Sequence, residues 1–273
     1  MTDIRSVKTD TDYLLNEQYK TDSNLAARAR LHRDFSTNKY GWQRWLFDWF
    51  DGPPNAHVIE FGSGPGWLWV ENLARIPAGW DITLSDFSVG MIDASQQNLA
   101  QSQRPFKLEV IDIQAIPYPD ATFDIVTANH MLYHVPDLNK AISEMRRILK
   151  PGGKLYTATN GVRHLSELYE LQQRFDPTVD YWQGFSAARS FELDNAVQIL
   201  SAFFPHVDRH RYEDALVVTE DAPLIDYMLS GRSKTTITGD KLEALRAFVR
   251  HEIATHGGIH ISKDAGLLIS AAS

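Results

Sequence analysis

The chemistry most legible in this chain sits in Val58-Ile59-Glu60-Phe61-Gly62-Ser63-Gly64-Pro65-Gly66, an apolar run that ends in an acid and enters a loop with glycine at every second position. Glycine permits positive φ and lets a ligand approach the main chain without meeting a Cβ. A helix starting near Trp67 would aim its first amides back at that loop. Such a strand, turn and helix also open a dinucleotide-binding unit, whose fingerprint is G-x-G-x-x-G. Here the third glycine arrives one residue early, and Pro65 removes an amide that a pyrophosphate would use. The loop therefore reads as a nucleoside site or as a tight structural turn.

Two further strand ends favour the ligand. Asp81 to Asp86 is a short β-type run whose last residue lies 20 positions beyond Gly66. A carboxylate there can accept both hydroxyls of a ribose, while Phe87 and Met91 are placed to cover a purine. Phe106 to Ile111 reads as another strand, with Asp112 and Ile113 suited to an adenine amino group and ring. The carboxyl edge of an open parallel sheet is where ligands bind.

Through these segments the chain resembles the class I S-adenosylmethionine-dependent methyltransferases over about residues 55 to 160. Glu60 to Gly66 is similar to their first motif, Asp86 to their ribose acid, and Asp112-Ile113 to their adenine pair. Pro117 to Val126 resembles the segment leading into their fourth strand, and Leu149-Lys150-Pro151-Gly152-Gly153-Lys154-Leu155 the turn before their fifth. The resemblance implies a Rossmann-like, seven-stranded, mostly parallel α/β sheet with helices on both faces and an antiparallel last strand. It also implies S-adenosylmethionine as cofactor, with Glu60, Gly62, Ser63, Gly64, Asp86, Phe87, Met91, Asp112 and Ile113 around it.

Candidates for the transfer itself follow the fourth strand, in Asn129-His130-Met131-Leu132-Tyr133-His134. Asn129 is suited to the amino-acid part of the cofactor or to a polar group of the acceptor. His134, with its ordinary pKa near neutrality, can serve as a base, or can instead cap the helix near Asp137 or fill a polar pocket. His130 reads as structural or surface exposed. In several small-molecule enzymes of the family, a tyrosine from an N-terminal helix closes over the sulfonium, which suggests Tyr19 paired with His134; a packed tyrosine is the plainer alternative. Arg28, farther along that helix, can reach the methionyl carboxylate or stay solvated.

Elements must position these groups. Residues 1–54 are expected to form a helical cap and 55–273 the core, with a lid insertion around 161–190 carrying Tyr181, Trp182 and Phe185. Helices are expected at 12–35, 38–51, 138–149, 164–175, 192–204, 221–230 and 239–255, and late strands near 206–213 and 264–271. Trp42, Trp45, Leu46, Trp49 and Phe50 form one apolar face, read as packing against the sheet. His251 to His256 superficially suggests a zinc motif, but five helical positions turn the second histidine about 140° from the first. No metal is expected.

Composition sets limits. The 273 residues are 43% hydrophobic and 23% charged, contain no cysteine, and carry a net charge of -8. A globular cytoplasmic enzyme is expected, without disulfides. The acidic balance disfavours a nucleic-acid partner, no run of 18 apolar residues offers a membrane span, and no signal-peptide core is present. The expected function is methylation of a small molecule at nitrogen or oxygen. Its rivals are an enzyme that converts the cofactor itself to methylthioadenosine by cyclisation or elimination, and a non-catalytic cofactor-binding module.

Overall fold

The computed structural model describes residues 23–178, 189–230 and 237–272. In chain order the helices are α1 (Ser23–Phe35), α2 (Trp42–Asp48), α3 (Trp67–Asn72), α4 (Val89–Leu99), α5 (Leu138–Ile148), α6 (Ser166–Phe175), α7 (Leu193–Ser201), α8 (Asp221–Met228) and α9 (Gly239–His256). The strands are β1 (His57–Phe61), β2 (Asp81–Asp86), β3 (Lys107–Val110), β4 (Phe123–Asn129), β5 (Leu149–Asn160), β6 (His206–Val218) and β7 (Ile259–Ala271).

They form one seven-stranded sheet in the order β3-β2-β1-β4-β5-β7-β6. The pairings from β3 to β5 are parallel, and β7 runs antiparallel to both β5 and β6. The architecture is thus the mostly parallel Rossmann-like sheet with an antiparallel last strand.

Alternation along the central strands sorts their side chains onto two covered faces, as a sheet buried on both sides requires. Val58, Ile125, Tyr156 and Leu267 join a core under α2 and α3. Their neighbours Ile59, Val126, Leu155 and Leu268 face the other way, into a core with α5 and α7. A third cluster gathers α1, α6, α8 and α9 over the distal halves of β6 and β7. The stripe Trp42, Trp45, Leu46, Trp49 and Phe50 packs in the first of these cores, although its helix is shorter than the pattern suggests, starting after Gly41 at φ 94° and ending at Asp48.

The antiparallel end is also longer than local alternation indicates. β6 and β7 pair from His206↔Ala271 to Val218↔Ile259, and β5 begins at Leu149 because that residue already pairs with Phe123. The edge of β6 is partly covered by the segment after α1: Ser36 bridges Leu216 and the Thr37 amide donates to the Ala215 carbonyl at 2.8 Å.

Candidate active site

The glycine loop takes the conformation its composition demands. Gly62, Gly64 and Gly66 have φ of 65°, 53° and 74°, in the left-handed region that strains other residues. A Cβ on Gly62 would lie 2.7 Å from Cβ and Cγ of Met131, whereas one on Gly64 would meet nothing within 4 Å. Gly62 is required by close packing and Gly64 leaves open space at the strand end. α4 holds the loop from behind, with Ser95 Oγ donating to the Gly64 carbonyl at 2.7 Å and Asn98 Nδ2 to the Pro65 carbonyl at 2.9 Å.

The loop amides are already used. Ser63 N–H donates to Ser85 at 2.9 Å and Gly66 N–H to Ser63 at 3.0 Å, while Gly64 N–H donates to Asp86 Oδ2 at 3.0 Å. A phosphate would have to compete for each of them, whereas an uncharged nucleoside asks for none. Asp86 also accepts from the Ser88 amide at 2.8 Å. Burial pushes its pKa up, opposed by the amides of Ser88, Gly64 and Phe87. The carboxylate is therefore oriented at the end of β2 and retains acceptor capacity for a diol.

Beneath the loop, Glu60 bridges two elements: Trp69 Nε1 donates to one oxygen at 2.6 Å and Asn129 Nδ2 to the other at 3.0 Å. Burial raises the Glu60 pKa to about 7 against these two hydrogen bonds. Asn129 Nδ2 donates as well to Thr127 Oγ1 at 2.9 Å, which fixes the amide so that its oxygen faces away. That oxygen and the Ser63 hydroxyl are buried without a hydrogen-bond partner. An orphaned buried acceptor costs about 1–3 kcal/mol, and two of them beside an open glycine cradle fit the ammonium of a methionyl group. Asp86, Ser63, Asn129 and the Gly64 gap together can hold an adenosyl sulfonium.

The purine contacts differ from expectation. Phe87 is 48% exposed at the strand end, but Met91 is 1% exposed, so it has no surface to offer a base; it lies in the first turn of α4, on the side turned into the protein. Ile113, at 5%, belongs to the core beside α5, and only its margin can meet a ring. Asp112 closes a turn, accepting from the Gln114 amide at 2.9 Å and from Gln114 Nε2 at 3.1 Å.

Arg28 and His134 are brought together. Arg28 donates to Ser230 Oγ at 2.8 Å and to the Ser230 carbonyl at 3.2 Å. Burial, and then the charge of Arg28, lower the His134 pKa to about 4. Tyr19 lies outside the described residues, as do Tyr181, Trp182 and Phe185. In the helix that mimics a zinc motif, Glu252 instead accepts from Arg174 at 2.6 Å.

His130, read as structural or surface exposed, takes the structural role: it adopts φ 54° and sets its ring 5.2 Å from that of Trp42. Burial and the charge of Lys263 depress its pKa to about 4. Other polar groups near the carboxyl edge escaped sequence reasoning. His32 and His164 stack with ring centroids 6.1 Å apart. Met131 lies over Gly62. The signal for His164 was present: Asn160-Gly161 and His164 leave β5 at the same edge as Asn129-His130 leaves β4, and that position gives one loop as strong a claim as the other.

Comparison with known proteins agrees with this geometry. Residues 59–157 match the family model described as a methyltransferase domain. The ubiquinone/menaquinone biosynthesis C-methyltransferase UbiE of Geotalea daltonii is 31% identical over 116 residues, 42% of this chain and 49% of that protein. A ubiquinone biosynthesis O-methyltransferase of Coxiella burnetii is 33% identical over 115 residues, 42% of this chain and 48% of that one. The chain thus spans about half the length of these curated relatives. Among solved structures, phosphoethanolamine N-methyltransferase 2 of Haemonchus contortus bound to S-adenosyl-L-methionine shares the fold, with a TM-score of 0.57 and 16% identity over 95% of this chain and 59% of that one.

Proposed function

We propose, from a chain whose residues 59–157 match a methyltransferase domain, that it is a class I S-adenosylmethionine-dependent methyltransferase and methylates a small molecule at nitrogen or oxygen. The observation that carries this reading is the pairing of an oriented Asp86 with two orphaned acceptors, Ser63 Oγ and Asn129 Oδ1, around the Gly64 gap. When bound, the cofactor supplies an electrophilic methyl group.

The chain's own residues do the rest by position and charge. In this reading Asp86 takes the ribose hydroxyls, Asp112 the adenine amino group, and Phe87 one face of the ring. Ser63 and Asn129 accept from the methionyl ammonium, and Arg28 pairs with the carboxylate. Transfer is an in-line displacement, so most of the acceleration comes from holding the acceptor atom about 3 Å from the methyl carbon. His134, a neutral imidazole beside a guanidinium, suits the positioning of polar groups better than the holding of a proton. Residues 1–54 serve as cap over a 55–273 core with a lid around 161–190, and Tyr19 belongs to that cap. The cysteine-free composition supports a cytoplasmic enzyme, and the relatives' work in quinone biosynthesis supports a small-molecule acceptor.

Mass spectrometry of the purified protein with S-adenosylmethionine, with and without cell extract, tests the reading. S-adenosylhomocysteine that forms only with extract is the expected result. Methylthioadenosine formed without an acceptor would overturn it in favour of cofactor conversion.

A further inference from the structure

Glu60 lies near the carboxyl end of β1 with 3% of its surface exposed, and the groups that face it are neutral or negative. From α3 the Trp69 indole donates to Oε2 at 2.6 Å, and from β4 the Asn129 amide donates to Oε1 at 3.0 Å. On β2 the Ser85 hydroxyl is engaged with the Glu60 backbone carbonyl at 2.8 Å, and Asp86 adds a second negative charge. His130, the residue after Asn129, turns its ring to Trp42 instead. Among the described residues no lysine, arginine or histidine pairs with the Glu60 carboxyl. A buried carboxylate held by two neutral hydrogen bonds, with a like charge nearby and no cation, is readily protonated.

The neighbours dictate where that proton sits. The Trp69 indole can only donate, so Oε2 stays an acceptor and the proton belongs on Oε1, facing Asn129. As oriented here, Asn129 offers that oxygen an N–H, which suits a carboxylate and opposes an acid. Half a turn of the amide exchanges its two ends. Oδ1 then accepts from the Glu60 hydroxyl, and the Thr127 hydroxyl, which otherwise accepts from Nδ2 at 2.9 Å, turns to donate. The contacts within the protein are remade in either state. What differs is the far side of the amide: with Glu60 charged it presents Oδ1, the orphaned buried acceptor, and with Glu60 neutral it presents an N–H.

We propose that ionisation of Glu60 orients the Asn129 amide for the cofactor's ammonium group, so that S-adenosylmethionine binds the charged form and its binding expels a proton from Glu60 to solvent. The assignment rests on the methyl-transfer reading above, which sets the ammonium against Asn129 Oδ1 and Ser63 Oγ. In one state the ammonium meets an acceptor, and in the other it meets a donor of its own polarity. It also brings the positive charge that the carboxylate lacks, one amide group away. The O–H bond of Glu60 breaks, the buffer takes the proton, and the ammonium keeps all of its own. Glu60 is thus a positioning residue that acts on the cofactor through Asn129. Burial raises its pKa to about 7, which sets the range in which the switch can be read.

Calorimetric titration of the full chain with S-adenosylmethionine at pH 6, in two buffers of different ionisation enthalpy, should show about 0.5–1 proton released per cofactor bound. Affinity should fall roughly tenfold from pH 7 to pH 5.5. S-adenosylhomocysteine, which keeps the ammonium and lacks the sulfonium charge, should release the same proton. Methylthioadenosine, which lacks the ammonium, should release none. Difference infrared spectra of the parent should lose the band of a protonated carboxyl when S-adenosylmethionine binds. Glu60→Gln should show neither that loss nor proton release, and its affinity should stay level over the same pH range. No proton released by the parent, equal release with methylthioadenosine, or undiminished release in Glu60→Gln overturns the switch. A parent that binds no S-adenosylmethionine at any pH overturns the methyl-transfer reading underneath it.

Discussion

At the scale of single residues, the site separates groups that hold the protein together from groups left over for a ligand. Asp86 does both, since its carboxylate accepts from Gly64 and Ser88 while facing the expected ribose. Asp86→Ala should weaken S-adenosylmethionine binding by roughly 1–3 kcal/mol, measured by calorimetry; unchanged affinity would remove it from the site. Gly62 and Gly64 offer a contrast between packing and ligand. Gly62→Ala forces a methyl group against Met131 at 2.7 Å and should destabilise the fold by about 1–3 kcal/mol, read as a lower urea midpoint. Gly64→Ala has room for its Cβ, so beyond a backbone cost of about 1 kcal/mol its main effect should be on cofactor affinity. His134→Ala should reduce turnover and leave cofactor binding nearly intact, and an unaltered rate would return that residue to structure.

Among the elements, α5 shows a complete local logic. Asp137 caps it by accepting from the Lys140 amide at 3.0 Å, and Ala141, Ile142, Met145 and Ile148 form its buried stripe. Asp137→Ala should cost about 1 kcal/mol by urea denaturation, with turnover per folded molecule unchanged. Elements of this kind were legible in the sequence. Apolar runs leading to Glu60, Asp86 and Ala128 located β1, β2 and β4, and with them the cofactor loop, because in a parallel sheet each strand carries its own pattern and delivers its own edge residue. The antiparallel end was less legible. β6 alternates weakly, as many of its residues are exposed or half-covered, and its length is set by pairing with β7. The polar groups of this end were unreadable for the same reason: Asn160, Tyr212 and Lys263 come to one region only through the β5-β7-β6 register. Met91 misled because position in the first turn of α4 does not say which side of the helix faces the ligand.

For the molecule as a whole, buried titratable groups make acid the weak point. His32 falls to about 3, His130 and His134 to about 4, and His164 lies well below its ordinary value, all chiefly through burial. A folded value below the unfolded one, about 6.5, gives stability that is full above pH 6.5 and is lost as pH falls through the folded value. Glu60, raised to about 7, has the opposite sign, favouring the fold at low pH and less so as pH rises through 7. Between pH 6.5 and 4.5 four imidazoles outweigh one carboxyl. Stability should therefore drop on acidification by about 1.4 kcal/mol per pH unit for each net proton taken up on unfolding. Urea midpoints that stay level or rise from pH 7 to 5 would contradict this.

The bridge between Ser36 and Leu216 has a consequence for how the chain is made. A ribosome adding 5–20 residues per second delivers Leu216 roughly ten to forty seconds after Ser36. Throughout that interval the glycine loop and β1 to β5 can assemble, while α1 waits for the strand it docks on. His32 on α1 thus settles against His164 only after β6 has been made, so the glycine loop and the antiparallel end have different birth dates.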